Sequence, residues 1–152
     1  MTLTRETGLG RVTINDNVIA KALIRACTKA GNRLYLATDK GKILGEPSKT
    51  GTGDLAGNFI IDEEGDSDRM VFYVVLNFGA SIKKVTDTVL DALCREMQSM
   101  FPQQKGIFTM VITGVKSKNI APRNIEVTRI YEPARLHFLY NGSRRKEMSH
   151  FE

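Results

Sequence analysis

The residues with the clearest capacity for binding chemistry lie where a run of β-formers gives way to a helical pattern. The segment VVLNFGASIKKV, residues 74–85, passes through a Gly-Ala-Ser turn and then places two lysines at the start of the helix. A helix N-terminus carries unpaired backbone N–H groups and a partial positive charge, so it attracts anions. Gly79, Ser81, Lys83 and Lys84 are therefore candidate residues for an anion or an acidic partner. The alternative is that Ser81 caps the helix and solvent surrounds both lysines.

A second set of candidate contacts lies near the C-terminus, where basic and aromatic side chains are interleaved. The set comprises Arg135, Phe138, Tyr140, Arg144, Arg145 and Lys146. Such mixtures can hold phosphates and stack on bases, so RNA is one candidate partner. The alternative is a small hairpin of NIEVTRIYE and ARLHFLY around Glu132-Pro133-Ala134, followed by a solvated end.

Catalytic and metal-binding patterns are not recognisable in the sequence. The two histidines, His137 and His150, both lie in the C-terminal region, and no Cys/His cluster has the spacing of metal ligands. The carboxylates of residues 62–68 lack the spacing of a calcium loop. The glycines of residues 45–57 match neither phosphate-loop motif. We therefore predict a non-enzymatic protein with no metal, no cofactor and no small-molecule substrate.

Two long helical patterns would position the candidate residues. In residues 16–30, apolar side chains recur at helical spacing after a capping Asn15 or Asp16, and Gly31 follows the predicted end. Residues 82–101 carry a second apolar stripe, and Pro102 ends it. The predicted strands are 10–15, 33–38, 43–45, 58–61, 69–78 and 106–115, and 46–57 is predicted to be a loop.

The order β-α-β-β-β-α-β predicts an α+β fold, a two-layer sandwich of two amphipathic helices on a mixed sheet. The strand at 69–78 is almost continuously apolar, which is typical of a central strand covered on both faces. If it is adjacent and parallel to the strand at 106–115, the crossover between them is expected to be right-handed. Residues 1–118 are predicted to form one domain, with 119–152 as a C-terminal extension.

Bulk composition restricts the class of protein. The chain has 152 residues, 41% of them hydrophobic and 26% charged, as is usual for one globular domain. No apolar run approaches membrane-spanning length and the N-terminus has no apolar signal segment, so we expect a cytoplasmic protein. The net charge of +5 permits acidic partners without identifying one. Cys27 and Cys94 lie in helical patterns and are expected to be small buried hydrophobes.

Three segments together resemble the alkaline shock protein family of bacterial envelope-stress-response proteins, over about residues 1–118. The matching residues are Gly10, Val12, Ile14, Asn17, Val18, Ile19 and Ala20, then Tyr73, Val74, Val75, Phe78, Gly79, Ser81, Ile82 and Val85, and finally Val111, Gly114 and Val115. The resemblance implies a non-enzymatic cytoplasmic protein that self-associates. It also implies recruitment to the inner face of the cell membrane by an anchored partner protein.

Two classes of function follow from these observations. The first is a scaffold or interaction protein, as the resemblance implies. The second is a nucleic-acid-binding module that uses the basic helix N-terminus and the basic-aromatic C-terminal segment.

Overall fold

The computed structural model describes residues 2–7, 10–65, 67–100 and 105–132. The six candidate contacts between Arg135 and Lys146, and both histidines, lie outside these residues. The helices are α1 (Asp16–Thr28), α2 (Thr52–Leu55) and α3 (Ile82–Met100), and the strands are β1 (Thr2–Thr7), β2 (Gly10–Asn15), β3 (Leu34–Ala37), β4 (Ile43–Gly45), β5 (Phe59–Glu64), β6 (Ser67–Asn77), β7 (Lys105–Lys116) and β8 (Ile120–Tyr131).

Local capping chemistry starts both long helices where the sequence predicts. The Asn15 side chain accepts a hydrogen bond from the Val18 N–H at 3.2 Å, which caps α1. The Ser81 hydroxyl accepts one from the Lys84 N–H at the same distance, which caps α3. Each bond satisfies a backbone donor that has no partner within the helix. The predicted positions of the two helices are therefore confirmed.

Strand β6 is the centre of a mixed six-stranded sheet with the order β4-β3-β6-β7-β8. Its partner along one edge is β7, and the two strands are parallel, with α3 in the connection between them. The other edge of β6 carries two antiparallel strands end to end, β5 beside its first half and β3 beside its second. Strands β1 and β2 form a separate antiparallel pair, and the sequence analysis missed β1.

The core lies between one face of this sheet and the helices α1 and α3. Alternate residues of β6 point toward the helices, and Met70, Phe72, Val74 and Leu76 are each exposed by 2% or less. Phe108, Met110 and Ile112 of β7 continue this apolar layer, and α1 and α3 supply its other half. Strands with a period of two bury one side in this way. The α+β class and the packing of helices on a mixed sheet are confirmed.

Strand β6 is central, as expected, and most of its residues on both faces are buried. Among the described elements, the helices α1 and α3 pack against one of these faces. On the other face Val71 and Val75 are exposed by 8% and 0%, whereas Tyr73 between them is half-buried. The continuous apolar run of β6 therefore accompanies burial on both faces of the strand.

Three segments differ from their sequence-based prediction. Residues 46–57 contain a 3₁₀ turn, Pro47–Lys49, and the short α2, because Pro47 and Leu55 are buried against the core. The strand predicted at 58–61 is longer: β5 continues to Glu64 in a hairpin with β6, and Asp62 pairs across the strands with Arg69. The first strand of the predicted C-terminal hairpin lies within β8, which pairs with β7. Its predicted partner, residues 134–140, lies outside the described residues.

Candidate functional site

The turn before α3 takes the conformation that its glycine allows. Gly79 has φ of +88°, a left-handed conformation that side chains disfavour, and the Ala80 N–H donates to the Asn77 carbonyl at 3.1 Å. The chain reverses there, and Ser81 begins the helix. We call the concavity at this turn the α3 cleft; it is a space of about 390 Å³ lined by Asn32, Arg33, Asn77, Phe78, Gly79, Ala80, Ser81 and Lys84.

The structure brings three of the four predicted anion-site residues together. Gly79, Ser81 and Lys84 all line the α3 cleft. Lys83 is directed along the helix instead, and its Nζ donates to Asp87 Oδ2 at 3.1 Å. The two adjacent lysines therefore have different surroundings, and only Lys84 is placed to contact something bound in the cleft.

Sequence reasoning missed Arg33 as a neighbour of this turn. Arg33 ends the 3₁₀ turn Gly31–Arg33, and the Asn77 side-chain amide donates to the Asn32 carbonyl, which fixes this turn beside the end of β6. Phe78 is 77% exposed. The missing information was the register of β3 on β6, in which Leu34 lies opposite Leu76.

A second concave surface lies on the face of the sheet away from α1 and α3. This open-face groove encloses about 640 Å³ and crosses β6 and β7. Its floor is formed by Val71, Tyr73, Thr109, Val111 and Thr113, and its sides by Asp39, Lys40, Ile60, Arg69, Pro122, Arg123, Asn124 and Glu126. No sequence pattern predicted it, because it depends on the strand order.

Turn geometry and hydroxyl groups shape this groove. A Cβ placed on Gly41 would lie 3.7 Å from Thr113 Cβ, so the β3–β4 turn folds over the open face as far as β7. The Thr113 hydroxyl donates to the Val74 carbonyl at 3.1 Å. The hydroxyls of Thr109 and Thr128 are hydrogen-bonded at 2.9 Å. The floor is therefore lined by polar groups held in position by the sheet.

Two tyrosines and several cations lie on the open face. In the sheet register Tyr35 is opposite Val75, and Tyr73 is opposite Ala37, so both tyrosines are on one face as diagonal neighbours. Lys116 Nζ lies 5.4 Å from the centroid of the Tyr35 ring, within the range of a cation–π contact. Arg69 binds Asp62 through two hydrogen bonds of 3.1 and 2.9 Å, which lowers the pKa of that carboxyl.

Other charged groups connect elements of the covered side. Arg129 of β8 donates to Asp87 Oδ1 of α3 at 2.9 Å and to Asp91 Oδ1. Arg25 of α1 binds Glu96 of α3, with Nη2 at 2.7 Å from Oε1, and this hydrogen bond lowers the pKa of Glu96. These contacts fix helices and strands relative to one another, so we assign them to stability.

Both cysteines are free thiols. Burial raises the pKa of Cys27, which is wholly enclosed, and raises that of Cys94 to about 12. The thiols are therefore protonated at neutral pH, and thiolate chemistry is disfavoured. Within residues 2–7, 10–65, 67–100 and 105–132, no group of three or more His, Cys, Asp or Glu residues is arranged to hold a metal ion.

None of the described helices is both long enough and apolar enough to cross a bilayer.

Comparison with known proteins identifies no relative of this chain. The chain matches no protein-family model, no curated protein and no solved structure. The resemblance to the alkaline shock protein family therefore stays a prediction based on the three sequence segments.

Proposed function

We propose that this protein is a non-enzymatic scaffold that self-associates, as the alkaline shock resemblance implies, and that copies pair through the outer edge of β8. The supporting observation is that β8 is a twelve-residue strand with β7 on one edge and no strand on the other among the described residues. Unpaired edge N–H and C=O groups are a template for another strand. Pro122 interrupts pairing near the start of β8, which leaves residues 123–131 as the pairing segment.

Light scattering combined with hydrogen exchange tests this proposal. The full chain is measured over a hundred-fold range of concentration, and exchange is followed at each amide of β8. In an antiparallel pair, alternate N–H groups face β7 and the others face outward. We expect the average mass to rise with concentration, and the outward set of amides to become protected at the same concentrations.

Two results would count against it. A strict monomer at every concentration would remove self-association. Outward amides that are protected even in a monomer would mean that another part of the chain occupies the edge, as the predicted hairpin of 134–140 would require.

Recruitment to the inner face of the cell membrane by an anchored partner forms the second half of the proposal. The α3 cleft offers a contact for an acidic partner, because Arg33 and Lys84 line it beside the exposed Phe78. The test is co-purification from the membrane fraction, comparing Arg33→Glu/Lys84→Glu with Lys83→Glu. Lys83→Glu is the matched control because Lys83 points to Asp87. Equal recovery of the partner with both variants would remove the cleft from the proposal.

A further inference from the structure

We propose that the open-face groove binds single-stranded nucleic acid, with Tyr73 as the stacking surface for a base and with Lys40 and Arg123 as phosphate contacts. This site goes beyond the scaffold function. It also differs from both nucleic-acid surfaces that the sequence predicts, the helix N-terminus and the C-terminal segment.

The stacking surface follows from the sheet register. Tyr73 is half-buried in the floor of the groove, and Tyr35 is its diagonal neighbour on the next strand. Diagonal neighbours in a sheet are typically about 7–8 Å apart, so two adjacent bases of an extended strand can each reach one ring. Stacking on an aromatic ring accepts any base, because every base has a flat π-face.

The Lys116 contact with Tyr35 indicates that the ring of Tyr35 is reached from the open side. A base that stacks on Tyr35 displaces the Lys116 ammonium from its position 5.4 Å from the centroid. The displaced ammonium then lies next to the bound strand, where a phosphate can accept it. Tyr73 has no such contact among the described residues, so it is the stronger of the two stacking positions.

Charges around the groove set how many phosphates are bound. Lys40 is exposed, and Arg123 uses Nη1 to contact only the carbonyl of its neighbour Pro122, at 2.7 Å. Arg69 is neutralised by Asp62, and Asp39 and Glu126 oppose further phosphates. We therefore expect two or three phosphate contacts, with bases over the floor and the backbone along the sides.

The polarity of the floor favours nucleic acid over a second copy of the chain. Sheets that pack face to face interdigitate apolar side chains. The lining of this groove instead includes the polar residues Tyr73, Thr109 and Thr113, with Asn124 and Glu126 at its side. Hydroxyl and amide groups can hydrogen-bond to the edges of unpaired bases.

Fluorescence anisotropy of the full chain with a labelled twelve-nucleotide probe of mixed sequence tests the site. The probe is used as single-stranded RNA, as single-stranded DNA and as a DNA duplex, between 25 and 200 mM salt. We expect both single strands to bind more tightly than the duplex. The slope of log K against log salt should be about −1.4 to −2.1, since each phosphate contact on a single strand contributes about −0.7.

Four variants locate the binding. Tyr73→Ala should weaken binding by roughly ten-fold or more, whereas Tyr73→Phe should retain it, because stacking needs the ring and not the hydroxyl. Arg123→Glu should also weaken binding, and its exposed position keeps the fold intact even if Tyr73→Ala unfolds. Lys21→Glu on the exposed side of α1 is the matched control and should leave affinity unchanged.

Several outcomes would overturn the proposal. The first is no binding of either single strand at 25 mM salt. Loss of binding in Lys84→Glu but not in Arg123→Glu would place the nucleic acid at the α3 cleft. A dimer that dissociates on Tyr73→Ala substitution, with no bound probe, would assign the groove to a second copy.

Discussion

The two faces of β6 differ sharply in what they contact, although their residues alternate along a single strand. Met70, Phe72, Val74 and Leu76 face the helices and are almost wholly enclosed. Arg69 and Tyr73 face the opposite side and are half-buried. The difference separates two tasks within one strand, because the covered face supplies stability and the open face offers chemistry. Substitutions of adjacent residues should therefore have unequal effects on folding.

The largest effect should come from Phe72→Ala, compared with Tyr73→Ala one position further along. Phe72 is fully enclosed, so its removal leaves a cavity and should lower the free energy of unfolding by about 3–5 kcal/mol. Tyr73→Ala should lower the free energy of unfolding by about 1 kcal/mol, because Tyr73 is only half-buried. Urea denaturation of both variants measures this, and equal costs would mean that the open face is covered in the native protein.

Arg129→Met tests the link between β8 and the covered side. The Arg129 side chain is only 10% exposed and bridges two carboxylates of α3. Its removal should lower the free energy of unfolding by about 2 kcal/mol, since hydrogen bonds to charged groups contribute about 1.5–3 kcal/mol each and the freed carboxylates regain water. Arg123→Met is the control, because Arg123 is an exposed residue of the same strand. Urea denaturation of both variants measures the free energy of unfolding, which Arg123→Met should change little.

The pH dependence of stability tests how well the covered layer excludes water. Cys27 is wholly enclosed, and burial raises its pKa above the ordinary value of 9.0. Above about pH 9 the unfolded chain loses the thiol proton while the folded chain keeps it. The free energy of unfolding should then fall as pH rises, by up to about 1.4 kcal/mol per pH unit. Cys27→Ala should have a shallower slope between pH 9 and 10.5, and parallel curves would contradict this.

The smallest effect should come from the threonine pair of the open face. Thr109→Val should cost about 0.5–1.5 kcal/mol, because it leaves the half-buried Thr128 hydroxyl without its partner at 2.9 Å. Substituting both threonines by valine should be nearly neutral, since no hydroxyl is then left unpaired. A double-mutant cycle measured by urea denaturation gives the interaction energy, and strict additivity would show that the pair contributes nothing.

Two kinds of element were predictable from the sequence: helices with a capping residue and a long apolar stripe, and strands with a continuous apolar run. Asn15 and Ser81 cap the helices that follow them, and the apolar stripes of α1 and α3 face the core. The buried strands β6 and β7 follow from their continuous apolar runs. Local chemistry decides these features, so neighbouring residues were enough to predict them.

Features that depend on distant pairing were not predictable. The helix α2 is too short for periodicity to reveal, and Leu55 forms part of it only because the core lies beneath. Arg33 reaches the α3 cleft through the pairing of β3 with β6. The open-face groove combines residues from β5, β6, β7, β8 and the β3–β4 turn. It forms only when these strands are placed next to one another in the sheet.

The two kinds of pairing along β6 have a consequence for how the chain folds. Strands β5 and β6 meet across a tight turn, as do β7 and β8, so these hairpins close short loops at small entropic cost. Pairing of Leu34 with Leu76, and of Ser67 with Lys105, closes far longer loops. Such non-local contacts slow folding. The hairpins should form early, and the late step should be the docking of β3 and the parallel joining of the two hairpins beneath α3, which would complete both the core and the groove at once.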